Sequence, residues 1–343
     1  MTHSVSPESR GPAIRTRGLV KNFGDNRAVD NIDLEIARGE IFGVLGPNGA
    51  GKTTTLRMLA TLLPIDGGTA EVFGVDVAKR PHVVRQLIGL TGQYASVDED
   101  LTALENLRLF ARLQGLSSAR AATIAGELLE QFSLQDAATR RLSKFSGGMR
   151  RRLDLAVSLI TRPPLIFLDE PTTGLDPRTR VQMWETIRTL VDDGATVLLT
   201  TQYLEEADQL ADRLVVIDHG RTVAEGTPEE LKSSVGSSTL IVDLAEADEA
   251  PQARAVLERV LGDGALFVDG GRLNAPLADA DVAIDALGAL RQAGIAVRSL
   301  QVSKPSLDEV FLTLTGRPAE GTQPDASDAL VDASATTTQE VSR

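Results

Sequence analysis

A loop near residue 50 has the residue types that hold a chain of phosphates. Gly46–Thr53 matches the pattern G-x-x-x-x-G-K-[ST], whose glycines let backbone N–H groups close around phosphate oxygens. Lys52 is spaced to reach the β- and γ-phosphates of a nucleotide, and the Thr53 hydroxyl to ligate Mg²⁺. A glycine-rich turn that happens to precede a lysine is the weaker alternative. We expect nucleotide contacts from Gly46, Pro47, Asn48, Gly49, Ala50, Gly51, Lys52, Thr53 and Thr54.

Two carboxylates end an apolar run much later in the chain. Asp169 and Glu170 follow Pro164–Leu168, and at the C-terminal edge of a parallel sheet they would face the phosphate loop. Asp169 is then expected to hold Mg²⁺, directly or through water, and Glu170 to polarise the attacking water as general base. Alone, the pair could equally be solvated acids at a strand end. The loop at Gly46–Thr53 favours the functional interpretation.

A second anion site is predicted where Ser146-Gly147-Gly148-Met149, called here the signature segment, opens a helix. Exposed N–H groups, a serine hydroxyl and the helix dipole all favour a bound anion there. Arg150–Arg152 follow, and we expect them to form a solvated helix face with some salt bridges rather than a nucleic-acid surface.

These residues require elements that carry them, and the pattern is α/β with parallel strands. Buried strands are predicted at Ile41–Leu45, Leu165–Leu168 and Thr196–Thr200. Helices are predicted from about Lys52, at Pro177–Val191 and, as an inserted pair, within Leu101–Leu134.

The composition shifts near Ser233, beyond which acidic residues dominate. Residues 238–315 then read as β-α-β-β-α-β-α, with a hairpin turn at Asp269–Gly271 and a last helix opened by Ser306. This order predicts a small α+β ferredoxin-like domain over 233–316. Residues 1–12 and 317–343 are expected to be disordered tails.

Composition excludes several classes of protein. The chain has 343 residues, no cysteine and a net charge of −13, so disulfide partners are excluded and a protein that coats nucleic acid is disfavoured. Its apolar stretches are shorter than the roughly 18 residues that span a bilayer. The polar Met1–Gly11 is unlike a secretory signal, so we expect the chain to stay inside the cell.

The order of phosphate loop, signature segment, Asp-Glu strand and Gly174-Leu175-Asp176 resembles the ATP-binding subunit of ATP-binding-cassette (ABC) transporters. The resemblance implies a P-loop NTPase fold over 13–232, with a parallel-strand core, an antiparallel N-terminal β subdomain and a helical insert at about 93–156. It also implies ATP and Mg²⁺ as cofactors and ATP hydrolysis as the activity. Two copies would pack head to tail, the signature segment of one closing on the nucleotide of the other.

The resemblance assigns further residues one by one. Phe23 matches an aromatic that stacks on adenine, although an ordinary core residue is the alternative. Gln93 matches a glutamine that contacts Mg²⁺ and senses the membrane partner, although a surface glutamine is the alternative. Asp176 matches a loop that communicates across the dimer.

Two positions depart from that family pattern. Met149 stands where the signature usually has Gln, and Gln202 stands where the family usually has a switch histidine. The Gln202 amide can donate a hydrogen bond to a γ-phosphate but cannot titrate near neutrality. We therefore expect it to sense phosphate without carrying charge.

A narrower likeness is to the daunorubicin/doxorubicin-resistance ATP-binding proteins of actinobacteria. Gln202, the segment Glu205–Arg213 and the segment Lys304–Phe311 carry it. It implies an exporter of a drug or lipid-like compound, with a separate integral membrane permease, acting at the cytoplasmic face of the membrane. The alternatives are a soluble ATPase switch on ribosomes or DNA, and an importer ATPase. The C-terminal domain is expected to be a rigid spacer that extends the dimer contact, and a small-molecule-binding or dimerisation module is the alternative.

Overall fold

The computed structural model describes residues 11–92, 97–235, 238–261, 267–269, 271–277 and 280–316. Gln93 lies outside these ranges, as do the two expected tails apart from residues 11 and 12. The interpretations made for them stay predictions.

Ten β-strands and eight α-helices lie in the part of the described chain before residue 236. In chain order they are β1 (Ile14–Phe23), β2 (Asn26–Ile36), β3 (Ile41–Leu45), α1 (Lys52–Leu59), β4 (Gly67–Val72), β5 (Val75–Asp76), α2 (Pro81–Leu87), β6 (Ile88–Thr91), α3 (Ala103–Leu113), α4 (Ser118–Gln131), α5 (Gly147–Ser158), β7 (Leu165–Asp169), α6 (Pro177–Asp192), β8 (Thr196–Thr201), α7 (Leu204–Leu210), β9 (Arg213–Asp218), β10 (Arg221–Gly226) and α8 (Pro228–Val235).

The central sheet has the strand order β10-β9-β3-β8-β7-β6. All its strand pairs are parallel except β10 with β9. Every residue of β3, β7 and β8 is buried, which explains why none of these strands shows an alternating apolar and polar pattern. Their carboxyl ends therefore meet at one edge, where the phosphate loop and Asp169 lie.

The N-terminal strands form a separate antiparallel sheet in the order β2-β1-β4-β5. The helical part contains α3, α4 and α5, and the predicted pair of helices within Leu101–Leu134 is confirmed. Helix α3 begins with a capping box in which Thr102 and Glu105 satisfy each other's backbone N–H groups.

The C-terminal region follows the predicted order. It consists of β11 (Ser238–Leu244), α9 (Ala250–Leu261), β12 (Phe267–Asp269), β13 (Arg272–Leu277), α10 (Ala280–Gln292), β14 (Val297–Ser303) and α11 (Leu307–Thr315). The sheet is antiparallel in the order β12-β13-β11-β14, which is the arrangement of a split β-α-β unit. The α+β ferredoxin-like fold is confirmed.

The last helix, α11, packs back on the nucleotide-binding part of the chain. Leu307, Val310 and Phe311 are buried in one cluster with Leu204 and Ala207 of α7. A polar bridge reinforces the contact, since Lys304 Nζ lies 3.0 Å from the Glu229 carboxylate at the start of α8. The C-terminal region is therefore anchored to the helix that follows Gln202. Within the described ranges, no helix has the length and apolar character needed to cross a bilayer.

Candidate active site

The phosphate loop connects β3 to α1 in a conformation that only glycine permits at two points. A Cβ atom on Gly46 would lie 2.2 Å from the Ile217 carbonyl oxygen, and one on Gly51 would lie 2.5 Å from that of Ala28. Gly51 also has a left-handed φ of 106°. No side chain caps the N-terminus of α1, so the amides of its first turn point into the loop as a cradle for anionic oxygens. Pro47, Asn48, Gly49, Ala50 and Thr54 complete the same segment.

Lys52 is buried within this loop, with 4% of its surface exposed. Its ammonium donates to the carbonyl oxygens of Gly46 at 2.6 Å and Pro47 at 3.1 Å. The Glu170 carboxylate lies 4.0 Å away. The positive charge is therefore held between the loop and the carboxylate strand.

Thr53 and Asp169 meet, as the two separate motifs predict. The Thr53 hydroxyl donates to Asp169 Oδ1 at 2.9 Å, and the Thr200 hydroxyl donates to the same oxygen at 2.6 Å. Hydroxyl and carboxylate oxygens are the ligands that Mg²⁺ takes from proteins. The donor set fits a magnesium ion shared with nucleotide phosphates.

Glu170 has a left-handed backbone, with φ of 49°, which is unfavourable for a residue other than glycine. Hydrogen bonds hold it on both sides. Its N–H donates to the Thr200 carbonyl oxygen at 3.1 Å, and its own carbonyl accepts from Arg151 at 3.0 Å. The carboxylate accepts from the Thr173 hydroxyl at 3.3 Å. These hydrogen bonds hold the strained backbone in place, so the position of the Glu170 Cβ atom, from which the carboxylate extends, is fixed.

Gln202 directly follows β8, the strand beside Asp169. Its side-chain oxygen is buried and has no hydrogen-bond partner among the described residues. A buried polar atom without a partner is costly, and a bound water, or a phosphate oxygen with the amide turned, would satisfy this group.

The signature segment and Asp176 lie together on neighbouring helices. The Ser146 hydroxyl caps α5 by accepting from the Met149 N–H at 3.3 Å. A Cβ on Gly148 would lie 2.2 Å from Cγ2 of Thr179, and Thr179 in turn donates through N–H and hydroxyl to the Asp176 carboxylate. These hydrogen bonds lower the pKa of Asp176. Together with Gly147, the residues form one surface at the N-termini of α5 and α6.

Phe23 ends β1 with 48% of its surface exposed, so the interpretation as a core residue is wrong. The Lys21 ammonium lies 5.6 Å from the ring centroid. The ring is accessible for stacking, as the adenine assignment requires.

The expectation of a solvated arginine run at Arg150–Arg152 is wrong for two of the three residues. Arg150 does form a surface ion pair with Glu99, but Arg152 donates to the Phe132 carbonyl and the Arg151 side chain is only 13% exposed. Burial lowers the pKa of Arg151, against the opposing effect of nearby carboxylates such as Asp154. Helical spacing is the sequence signal that could have predicted the burial of Arg151, since this residue lies on the same face of α5 as the buried Gly148 and Leu155.

Sequence reasoning also missed Glu206, which is fully buried in α7. Its Oε1 accepts from the Thr172 hydroxyl at 2.9 Å and from the Trp184 indole N–H at 3.3 Å. Burial raises the pKa of this carboxyl, and its hydrogen bonds oppose the shift. Glu206 thus connects the loop after Glu170 with the helix after Gln202.

This arrangement of phosphate loop, Thr-Asp pair and signature segment is that of an ATP-binding-cassette domain. Residues 29–173 match the family model described as ABC transporter, and residues 226–315 match that of the ATP-binding protein DrrA1-3-like, C-terminal domain. The chain belongs to the DrrA-like family of ABC transporter ATP-binding proteins.

Named relatives cover nearly the whole chain. The daunorubicin/doxorubicin resistance ATP-binding protein DrrA of Streptomyces peucetius is 56% identical over 90% of this chain and 94% of that protein. The doxorubicin resistance ATP-binding protein DrrA of Mycobacterium tuberculosis is 43% identical over 90% and 95%. The Nod factor export ATP-binding protein I of Cupriavidus metallidurans is 43% identical over 89% and 97%. Both predicted resemblances are confirmed.

Solved structures agree on the fold. An ATP-binding subunit of an ABC transporter matches with a TM-score of 0.58 and 28% identity, covering 65% of this chain and 92% of that one. A dimeric ATP-binding cassette in a post-hydrolysis state, bound to ADP and phosphate, matches with a TM-score of 0.57 and 26% identity, covering 62% and 98%. The predicted P-loop fold of the ABC type is confirmed, and the ABC domain supports nucleotide binding and ATPase activity.

Proposed function

We propose that this chain is the ATP-hydrolysing subunit of an exporter that moves a hydrophobic drug or lipid-like compound through a separate membrane permease. One observation carries the ATPase part: the hydroxyls of Thr53 and Thr200 both donate to the same carboxylate oxygen of Asp169. Lys52 and Glu170 lie beside them. The export part is supported by relatives named for drug resistance and for Nod factor export.

Different residues of the chain are proposed to bind the phosphates, the adenine ring and Mg²⁺. The amides at the start of α1 and the Lys52 ammonium hold the β- and γ-phosphates. Phe23 stacks on the adenine ring from the end of β1. Thr53 and Asp169 would hold Mg²⁺, joined by Gln93, and the ion would neutralise charge that develops on the phosphates.

Glu170 is proposed to hold the attacking water and accept its proton. The carboxylate is 10% exposed and lies beside Lys52, so it reaches the phosphate end of the site while most bulk water is excluded. Gln202 orients the γ-phosphate or the water by hydrogen bonding. Glu170 and Gln202 are thus the proposed catalytic residues.

The site is proposed to be completed by a second copy of the chain. Ser146, Gly147, Gly148 and Met149 form an anion-binding helix N-terminus, and Asp176 lies next to them. In a head-to-tail homodimer this surface closes on the nucleotide that the partner copy's phosphate loop holds. The dimeric state of the matched cassette bound to ADP and phosphate supports this arrangement.

The homodimer is proposed to sit peripherally at the cytoplasmic face of the cell membrane, against the permease, without nucleic acid. To test this, the tagged chain is recovered from its own host in mild detergent and its partners are identified. A multi-span membrane protein in roughly equal amount is expected. A ribosome or DNA complex without one would overturn transport and leave the ATPase assignment intact, and a co-purifying extracellular binding protein would favour the importer.

The ATPase assignment has its own test with two variants. Glu170→Gln should keep ATP and accumulate closed dimers, because binding survives while base activation is lost. Lys52→Ala should abolish nucleotide binding. Dimer mass in excess ATP and Mg²⁺ checks the first, and nucleotide titration checks the second. Monomers only in the first case, or tight binding in the second, would contradict the mechanism.

A further inference from the structure

The helix that carries the signature segment also reaches into the hydrolytic site of its own protomer. Two residues beyond Met149, the Arg151 side chain runs inward to the end of β7. Its Nε donates to the Pro171 carbonyl at 3.0 Å, and its Nη2 donates to the carbonyls of Asp169 at 2.9 Å and Glu170 at 3.0 Å. One guanidinium therefore binds three consecutive carbonyls around the proposed general base.

The same guanidinium also binds the carboxyl end of a second strand. Its Nη1 donates to the carbonyl of Gly92, the residue just after β6 and just before Gln93. Strands β6 and β7 are parallel neighbours, so Arg151 ties together the two chain segments that leave their carboxyl ends. All three nitrogens of the side chain are engaged with main-chain oxygens.

These contacts matter because Glu170 has an unfavourable backbone. Its φ of 49° would relax towards an ordinary value if the loop were free. Thr200 holds the N–H of Glu170 from β8, and Arg151 holds the carbonyl from α5. Removing Arg151 leaves one side of this residue without its described restraint and also leaves three neighbouring carbonyls less satisfied.

The geometry of the contacts requires arginine. A planar guanidinium presents five N–H donors in a fixed fork, whereas a lysine ammonium is a single point of charge. The nearest ion-pair contact, with Asp154, is long at 4.0 Å, so the main contacts of Arg151 are directional hydrogen bonds rather than an ion pair.

We propose that Arg151 is a positioning residue that fixes Glu170 for hydrolysis and makes its geometry depend on the placement of the signature helix in the same protomer. The proposal rests on the proposed function of Glu170 as general base. The N-terminus of helix α5 would then contact the partner's nucleotide, and Arg151 would couple the position of the helix to Glu170 and to Gly92 at the end of β6 in the same protomer.

The first experiment is steady-state ATPase kinetics of Arg151→Gln and Arg151→Lys. The kcat of Arg151→Gln is expected to fall at least about tenfold, because a misplaced general base loses rate in the chemical step, while KM for ATP stays within about twofold. Arg150→Gln is the matched control, because it removes the same charge from the adjacent residue, whose side chain forms a surface ion pair with Glu99. It should keep the rate of the original chain.

Arg151→Lys keeps the charge and serves if Arg151→Gln does not fold. It should also lose most of its kcat, since an ammonium cannot reach four carbonyls. A full rate in Arg151→Lys would show that charge alone suffices and would overturn the positioning role. Equal losses in Arg150→Gln and Arg151→Gln would overturn it too.

A double-mutant cycle separates positioning from general damage. In the Glu170→Gln background, adding Arg151→Gln should change the residual single-turnover rate by less than about twofold, because the group being positioned is already gone. ATP-dependent dimer formation should survive in the double variant. A further tenfold loss there would mean that Arg151 acts elsewhere. If Glu170→Gln alone keeps the full rate, the proposed function fails; if it is slow while Arg151→Gln is not, only this inference fails.

Discussion

Gln202 places a neutral amide where the family usually has a titratable imidazole. Its buried side-chain oxygen has no described partner, and the residue lies between β8, which carries Thr200, and α7. An amide can donate and accept hydrogen bonds at every physiological pH, so its contribution should not vary with pH as that of a histidine would.

Replacing Gln202 with Ala should slow hydrolysis at least about tenfold, roughly the loss of one charge-assisted hydrogen bond in the transition state. ATPase rates at saturating ATP check this. Gln209→Ala, at an exposed position later in α7, is the control and should keep its rate. An unchanged rate in Gln202→Ala would remove it from the proposed catalytic residues.

Glu206 places a fully buried carboxyl near the loop that follows Glu170. Burial raises its pKa above the ordinary 4.5, so the folded chain holds this proton more tightly than the unfolded chain. As pH rises above 4.5 the unfolded state releases the proton first, and the free energy of unfolding falls until the folded pKa is passed. Above that pH the penalty is constant.

Glu206→Gln should therefore raise the melting temperature at neutral pH, with a gain that shrinks as the pH is lowered towards the ordinary carboxyl pKa of 4.5. The amide oxygen can still accept from Thr172 and Trp184, so the packing is kept. Melting curves across this pH range check the difference. Glu205→Gln, at an exposed neighbouring position, should show no such pH-dependent gain, and a gain as large in that control would point to net charge instead.

At the scale of elements, α5 and α6 are packed so closely that the signature segment needs glycine for structural reasons as well as for binding. The Cβ of an alanine at Gly148 would meet Cγ2 of Thr179 at 2.2 Å, whereas at Gly147 no atom lies within 4 Å. Thr179 is β-branched and also held by Asp176, so it has little freedom to move aside.

Gly148→Ala should destabilise the fold by about 1–3 kcal/mol, the usual cost of overpacking. Gly147→Ala, one residue earlier in the same helix, should leave the free energy of unfolding nearly unchanged. Denaturant unfolding of both variants measures the difference. Equal stability of the two would mean that α5 and α6 are not packed as described.

The comparison of these elements with the sequence shows what local patterns can predict. Strands β3, β7 and β8 were predicted to within a residue because they are buried on both faces and bounded by functional motifs. The meeting of Thr53 with Asp169 followed from the topology of a parallel sheet. Arg151 was misjudged because a run of three arginines looks solvated, although its helical spacing to the buried Gly148 and Leu155 places it on the inner face of α5.

The whole molecule joins two folds through its last helix. Leu307, Val310 and Phe311 of α11 are buried with Leu204 of α7, so residues far apart in sequence stabilise the helix that follows Gln202. Sequence patterns predicted α11 but not where it docks, because a short amphipathic helix fits many apolar surfaces. Gly316, with a left-handed φ of 69°, ends this helix.

Two truncations test how much of the chain the ATPase part needs. Removing residues 317–343 should leave ATPase activity and melting temperature unchanged, since the composition of this segment predicts a disordered tail. Removing residues 307–343 instead uncovers the apolar surface of α7. Burial of each large side chain of α11 contributes about 1.5–3 kcal/mol, so the melting temperature should fall by at least about 5 °C. If the longer truncation melted like the full chain, the contact between α11 and α7 would not be the one that holds the two folds together.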